Sequence, residues 1–319
     1  MFSVLSAVLA AATPDHTLSA VSAPRPYAFF FHIHKCGGSS VCDMAKGNRE
    51  KIESGGNCNF EGDDFSFLCD PARSAARAAD VQHDVIRAAI TKGHTFGMDE
   101  CNAPKSLFVD PSVVRYATSI REPLERSASA YYYSLLDQKT WAPGHTFEEF
   151  VLAEIQRGWS GVAANYAPNF LTHYLSGAGE KERITTEHLE RAKAFARKLD
   201  LVIDVDFLPE SMPLMHKMWG WTNLTSGEDR NSHGGGDKVV QLSKRTYAQL
   251  SAQNWADVAL HRFMVGLARD MRQKQASAAD ATQDAAAADA LAASRSAAVA
   301  RAAWRKAFVG DGVTIKVVD

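Results

Sequence analysis

A continuous apolar and aromatic run, Tyr27 to Ile33 (YAFFFHI), opens the ordered pattern of the chain. Its length and β-favouring content predict a strand buried on both faces. Residues 34–40 break the run with a glycine pair, Gly37 and Gly38. A helix is expected from near Ser39, turning Val41 and Met44 inward. Gly47 to Asp70, rich in Gly, Asn and Asp, reads as an irregular excursion. Ser74 to Thr91 then places Ala75, Ala78, Val81, Val85, Ile86 and Ala89 along one side of a helix. A second β-rich run, Val113 to Ile120, leads into Arg121-Glu122-Pro123, and proline in a first turn suits a helix continuing from Leu124 to Leu136. Thr146-Phe147-Glu148-Glu149 is a capping-box pattern opening a helix that ends near Gly158. A charged helix from about Glu187 to Lys198 precedes a third short strand, Leu201 to Val205. Strands alternating with helices predict an α/β fold, a parallel sheet flanked by helices.

The two ends of the chain differ from this middle. Residues 1–23 are uncharged apart from Asp15 and the amino group, and Phe2 to Ala12 is apolar. This signal-like leader has the length of a secretory h-region but lacks the positive n-region, and it is too short to span a bilayer. A frayed tail or a fragment of a longer leader is the alternative. Gln275 to Ala303 is dominated by alanine, with scattered Asp, Arg and Gln. It predicts an appended alanine-rich C-terminal helix within a 273–319 tail that has little to bury. No convincing internal repeat occurs.

Composition narrows the function only slightly. Hydrophobic residues make up 46% of 319, enough for a sizeable core. With 35 basic against 37 acidic side chains, no global field attracts nucleic acid, so an anionic ligand needs a local site. The five cysteines, Cys36, Cys42, Cys58, Cys69 and Cys101, show no zinc spacing. In an oxidising compartment four could pair; if Cys36 is the free one, three connectivities stay open. In a reducing compartment all five are thiols.

Two segments carry chemistry. His32-Ile33-His34-Lys35-Cys36-Gly37-Gly38-Ser39-Ser40 follows a buried strand and enters a helix through a P-loop-like glycine turn. Such a connection aims backbone N–H groups and the positive end of a helix at one spot, which favours a phosphate. Lys35 adds a full charge and Ser39 and Ser40 add hydroxyls. The Walker order, lysine after the last glycine, is reversed here. Ser119-Ile120-Arg121-Glu122-Pro123-Leu124-Glu125-Arg126-Ser127-Ala128-Ser129-Ala130-Tyr131 also follows a strand and opens a helix. Arg121 and Ser129 could reach one phosphate together. Arg126 reads as a helix-surface or salt-bridge residue, and most of Tyr131 to Tyr133 as packing.

These two segments resemble the 5′-phosphosulfate and 3′-phosphate motifs of sulfotransferases that use 3′-phosphoadenosine 5′-phosphosulfate (PAPS). The likeness is to the Golgi carbohydrate group that includes relatives of heparan sulfate 2-O-sulfotransferase. HIPKTGGTS of that family reads HIHKCGGSS here, with His34 for proline and Cys36 for threonine. RDPxERxxSxY reads REPLERSASAY, with Glu122 for aspartate. Looser similarity covers Asn165 to Gly177, Leu199 to Met215 and Trp255 to Leu267. The resemblance implies a sulfotransferase domain over about 24–272, PAPS as donor, and sulfonate transfer to an acceptor hydroxyl. The family's usual acceptors are carbohydrates; small metabolites and tyrosyl peptides are alternatives. It implies a secretory, Golgi-lumen location, with a cytoplasmic one as alternative. Membrane association is expected only if the leader is uncleaved.

The resemblance assigns Lys35, with Cys36, Gly37, Gly38, Ser39 and Ser40, to the phosphosulfate, and Arg121 and Ser129 to the 3′-phosphate; no metal is required. His94, in Gly93-His94-Thr95-Phe96-Gly97, resembles the family's Gly-His segment and is the first candidate for general base, with Glu100 second. His32 and His34 read as structural hydrogen-bonding residues. Trp141, Trp159, Trp219 and Trp221 could stack on sugars, although core or rim packing is their commoner use. Asn223-Leu224-Thr225 is a glycosylation sequon if the chain is secreted. The competing function is a P-loop-type kinase or nucleotide hydrolase, with Asp204 and Asp206 at a strand end for magnesium. A third is a non-catalytic nucleotide-binding or lectin-like protein on the same fold.

Overall fold

The computed structural model describes residues 25–52, 58–59, 84, 86–100, 112–133, 146–159, 167–179, 182–224, 238–282 and 313–318. The leader, Cys69, Cys101, Trp141, Thr225 and residues 283–312 lie outside them. Strand β1 (Tyr27–Phe31) leads to helix α1 (Gly38–Gly47), followed by β2 (Phe96–Asp99), β3 (Val114–Ile120) and α2 (Pro123–Tyr133). Next come α3 (Phe147–Arg157), α4 (Phe170–Ser176), α5 (Thr186–Ala196), β4 (Leu201–Asp204) and α6 (Leu208–Trp219). Finally β5 (Lys238–Ser243), α7 (Lys244–Gln253), α8 (Trp255–Thr282) and β6 (Val313–Val318) close the described chain.

Four strands form a parallel sheet in the order β2-β1-β3-β4. The unbroken apolar run of β1 follows from this central place, because both of its faces are covered. Tyr27, Phe29 and Phe31 point into one core with Tyr116, Val202, Phe195 and the α8 residues Leu260 and Met264. Ala28 and Phe30 point into the other with Phe96, Met98, Ile203, Met44, Met215 and Trp221. Truncating a fully buried phenylalanine such as Phe30 costs about 3–5 kcal/mol. On α8, Ala256, Leu260, Met264 and Ala268 recur every fourth residue, and all are fully buried. That single stripe docks the helix on the sheet layer.

Local signals explain the helix ends. The capping box at Thr146 is formed on both sides, and Gly158 closes α3 in the left-handed region at φ 64°. Pro123 opens α2, and the Glu122 carboxylate accepts from the Glu125 N–H at 2.7 Å, as a cap would. A second, two-stranded parallel sheet pairs β5 with β6, residues 238–243 against 313–318. It packs with α2, α3 and α7 around Leu124, Tyr131, Phe147, Phe150, Leu242 and Val313. The helix α8 continues without a break through residue 272 to Thr282, and β6 lies within the segment 273–319.

Candidate functional site

Parallel pairing puts the carboxyl ends of all four strands on one edge. Phe31 stands level with Asp99 and Thr118, and Ile120 level with Asp204. Ligands of open α/β sheets bind outside this edge. Thr118 Oγ1 donates to the Phe31 carbonyl at 2.7 Å, closing the two central strands together there.

Beyond β1 the chain turns sharply, because Lys35 (φ 65°) and Gly37 (φ 81°) are both left-handed. Gly37 is the residue before the first turn of α1, so the helix start is aimed back over the strand edge. The first-turn N–H groups of a helix have no intrahelical acceptor and carry the positive end of the dipole. Gly38 has a different requirement. A Cβ there would sit 1.9 Å from His32 Cδ2, so the buried imidazole ring packs directly on the helix start. Cys36, expected to touch the nucleotide, is engaged elsewhere. Its N–H donates to the Ile33 carbonyl at 3.1 Å, its carbonyl accepts from Ser119 Oγ, and its side chain lies in the core. Burial pushes its thiol up to about 11, against the opposing pull of Arg126 and Arg121.

The Ser119–Cys36 hydrogen bond ties the two sequence motifs, 83 positions apart, into one structure. A second tie is Lys35 Nζ, which lies 4.3 Å from the centre of the Tyr133 ring on α2. Arg121, at the end of β3, and Ser129, on α2, are both buried, at 4% and 1% exposure. Arg126 is not on the surface as its helical position suggested. It is fully buried with its guanidinium 4.6 Å from the Phe170 ring centre, locking α2 against α4.

Glu100, one residue past β2, gathers a polar cluster. His34 Nδ1 donates to Glu100 Oε1 at 3.2 Å, and Asn59 Nδ2 donates to Oε2 at 3.0 Å. His32 Nδ1 lies 3.7 Å from the same Oε1. Burial would raise the Glu100 carboxyl, but His32, His34 and Asn59 outweigh it and hold the group down at about 2. Burial lowers His32 below the usual imidazole value. Asn59 is brought here by its neighbour: Cys58 forms a disulfide with Cys42 of α1, and its carbonyl accepts from the Met98 N–H. Cys36 is a free thiol, so the cysteine excursion is stapled at its base.

His94 does not join this cluster. Ala28 N–H donates to the carbonyl of Thr95, which puts His94 before the amino end of β2. Six residues of extended chain, roughly 20 Å, separate it from Glu100. That is the wrong edge for a base acting beside Lys35. The amino edge holds a structural network instead: Trp221 Nε1 donates to Glu50 Oε1 at 2.8 Å and Thr95 Oγ1 to Glu50 Oε2. Trp219 and Trp221 are buried, and Trp159 packs on Phe150, so these rings serve packing. Asp204 ends β4 on the carboxyl edge, where burial pushes it up to about 6 and its side chain accepts from the Asp206 N–H. Among the described residues no group of His, Cys, Asp and Glu side chains is arranged to hold a metal ion.

No sequence motif points to the clasp between α4 and α8. Asp257 accepts from the N–H groups of Leu171 and Thr172, at 2.9 and 2.7 Å, capping α4 from α8. Asn169 Oδ1 accepts from the Ala256 N–H at 3.0 Å in return. No helix among the described residues is long and apolar enough to cross a membrane. Comparison with protein-family models finds no match for the chain, and neither does comparison with curated proteins.

Proposed function

We propose that the chain is a PAPS-dependent sulfotransferase on a P-loop-like α/β scaffold, transferring a sulfonate group to a hydroxyl of an acceptor, a carbohydrate by preference. The observation that carries this reading is the junction of the two motifs. The turn bearing Lys35 and the helix bearing Ser129 meet through Ser119–Cys36 and Lys35–Tyr133 at the carboxyl edge of the sheet. The donor chemistry fits: a lysine and a helix start for the phosphosulfate, an arginine and a serine for a 3′-phosphate.

In this reading the first turn of α1, Gly37 to Ser40, and Lys35 hold the 5′ end, and Arg121 with Ser129 holds the 3′-phosphate. Bound there, PAPS supplies the activated sulfonate. The protein's task is orientation and stabilisation of charge on the leaving oxygen, which the lysine ammonium and helix dipole serve. Arg121 gives the selectivity, because ATP and AMP carry no 3′-phosphate. The Cys42–Cys58 disulfide fits an oxidising compartment and so supports the secretory reading.

Calorimetric titration with 3′-phosphoadenosine 5′-phosphate, with AMP and ATP as controls, tests the proposal. Preference for the 3′-phosphorylated nucleotide, lost in Arg121→Ala and weakened in Arg121→Lys, is the expected result. Equal binding of all three nucleotides, or none, overturns it. Asp204 at the end of β4 keeps a kinase or nucleotide hydrolase as the second reading, which predicts magnesium-dependent turnover of ATP.

A further inference from the structure

We infer that His34, oriented by Glu100, is the group that takes the acceptor's proton in the transfer proposed above. The inference rests on that sulfotransferase reading and supplies the base that it lacks once His94 is placed on the opposite edge.

Glu100 holds the His34 ring by a hydrogen bond. Its two oxygens are divided: Oε1 accepts from His34 and Oε2 accepts from Asn59. An ionised carboxylate only accepts, so the proton of the neutral His34 ring sits on Nδ1. The lone pair is then on Nε2, on the far side of the ring. That atom is buried, and no described residue bonds to it. A buried ring nitrogen left without a partner is costly, and a hydroxyl donor arriving there recovers that cost. A carboxylate that fixes the tautomer, an imidazole, and an open lone pair are the arrangement that general-base catalysis by histidine needs.

The position fits the chemistry. His34 is the residue before Lys35, and both side chains face the same Tyr133 ring. The His34 ring meets it edge-on with centres 5.7 Å apart, and the lysine ammonium lies 4.3 Å from its centre. The base and the cation assigned to the leaving group therefore flank one site. The charged and titratable groups facing His34 are His32 and Lys35 from its own segment, Glu100 beyond β2 and Tyr133 from α2.

Nε2 of His34 takes the hydroxyl proton while the acceptor oxygen bonds to sulfur. The bond from sulfur to the 5′-phosphate oxygen breaks, and its electron pair leaves on that oxygen beside Lys35. Glu100 balances the imidazolium until the proton passes to solvent. His34 is thus a catalytic residue, while Glu100 and Asn59 are positioning residues.

The test uses full-length protein labelled with ¹⁵N-histidine and titrated by NMR, together with turnover of PAPS on chemically desulfated glycosaminoglycan. At neutral pH the His34 signals should report a protonated Nδ1 and a bare Nε2. Glu100→Gln, whose amide can donate to Nδ1, should move the ring proton of His34 towards Nε2, and kcat should fall with that change of tautomer. His34→Ala should lower kcat about 10²-fold or more while affinity for 3′-phosphoadenosine 5′-phosphate stays within a few-fold. Glu100→Asp, which keeps the charge, should retain part of the rate. A His34 protonated on Nε2 with a bare Nδ1, or a His34→Ala enzyme near the wild-type rate, overturns the inference while nucleotide binding still stands. Failure of the wild type to bind 3′-phosphoadenosine 5′-phosphate overturns the sulfotransferase reading, and the inference with it.

Discussion

Gly38→Ala is the most direct probe of how this site is built. Glycines in such a turn are usually explained by the approach of a phosphate, yet here the second glycine answers to a protein side chain. The added methyl would lie 1.9 Å from Cδ2, 2.1 Å from Nε2 and 2.6 Å from Cγ of His32. No real contact is that short, so the ring or the start of α1 must move. His32 is only 3% exposed, so its ring is enclosed by the protein. Overpacking of this kind costs about 1–3 kcal/mol, and the gain from replacing a helical glycine by alanine returns about 0.5–1 kcal/mol of it. The expected net loss is about 1–2 kcal/mol, measured as a lowered urea midpoint at constant m. The decisive comparison is a double-mutant cycle with His32→Ala. Without the ring the three closest contacts of the methyl are gone, and the cost of Gly38→Ala should fall by about 1 kcal/mol or more. An equal cost in both backgrounds refutes the packing argument.

Two further outcomes follow from charge and place. Burial raises the Glu122 carboxyl to about 7, above its unfolded value, so its contribution to stability is complete at low pH and is lost as pH rises through about 7. Relative to Glu122→Gln, which keeps an acceptor for the Glu125 N–H, the wild type should lose about 3 kcal/mol across the rise from 4.5 to about 7, read by urea unfolding at a series of pH values. A flat difference would show that the cap, not the charge, sets the contribution. His94→Ala should leave both turnover and affinity for 3′-phosphoadenosine 5′-phosphate within a few-fold of wild type; a large loss of kcat alone would return His94 to the mechanism.

The parts of the fold that hydropathy made legible were those set by local pattern. β1, β3 and β4 are apolar because helices cover both faces, and α3 begins and ends where its capping box and Gly158 dictate. β2 escaped because Phe96-Gly97-Met98-Asp99 offers only two large apolar side chains. β5 and β6 escaped because their partners lie about 75 residues apart, and no local signal encodes a pairing at that range. Arg126 was misplaced since periodicity cannot foresee an aromatic ring from α4 waiting over a guanidinium. The site was half legible for a related reason. Period-two alternation says which face of a sheet a side chain takes, but not which edge a residue lies on. Without the bounds of β2, His94 and Glu100 looked like neighbours in one cleft, although a whole strand separates them.

That geometric point also assigns the two histidines of the first motif. His32 and His34 both approach Glu100, at 3.7 and 3.2 Å, so one carboxylate faces two possible partners. They are not equivalent. His32 is covered by the start of α1, and its burial lowers its affinity for a proton. The His32 ring fills the space that Gly38 keeps open. His34 stands one turn further out, with a fifth of its side chain exposed and its ring edge on Tyr133. Packing therefore separates a structural imidazole from the proposed base within three residues.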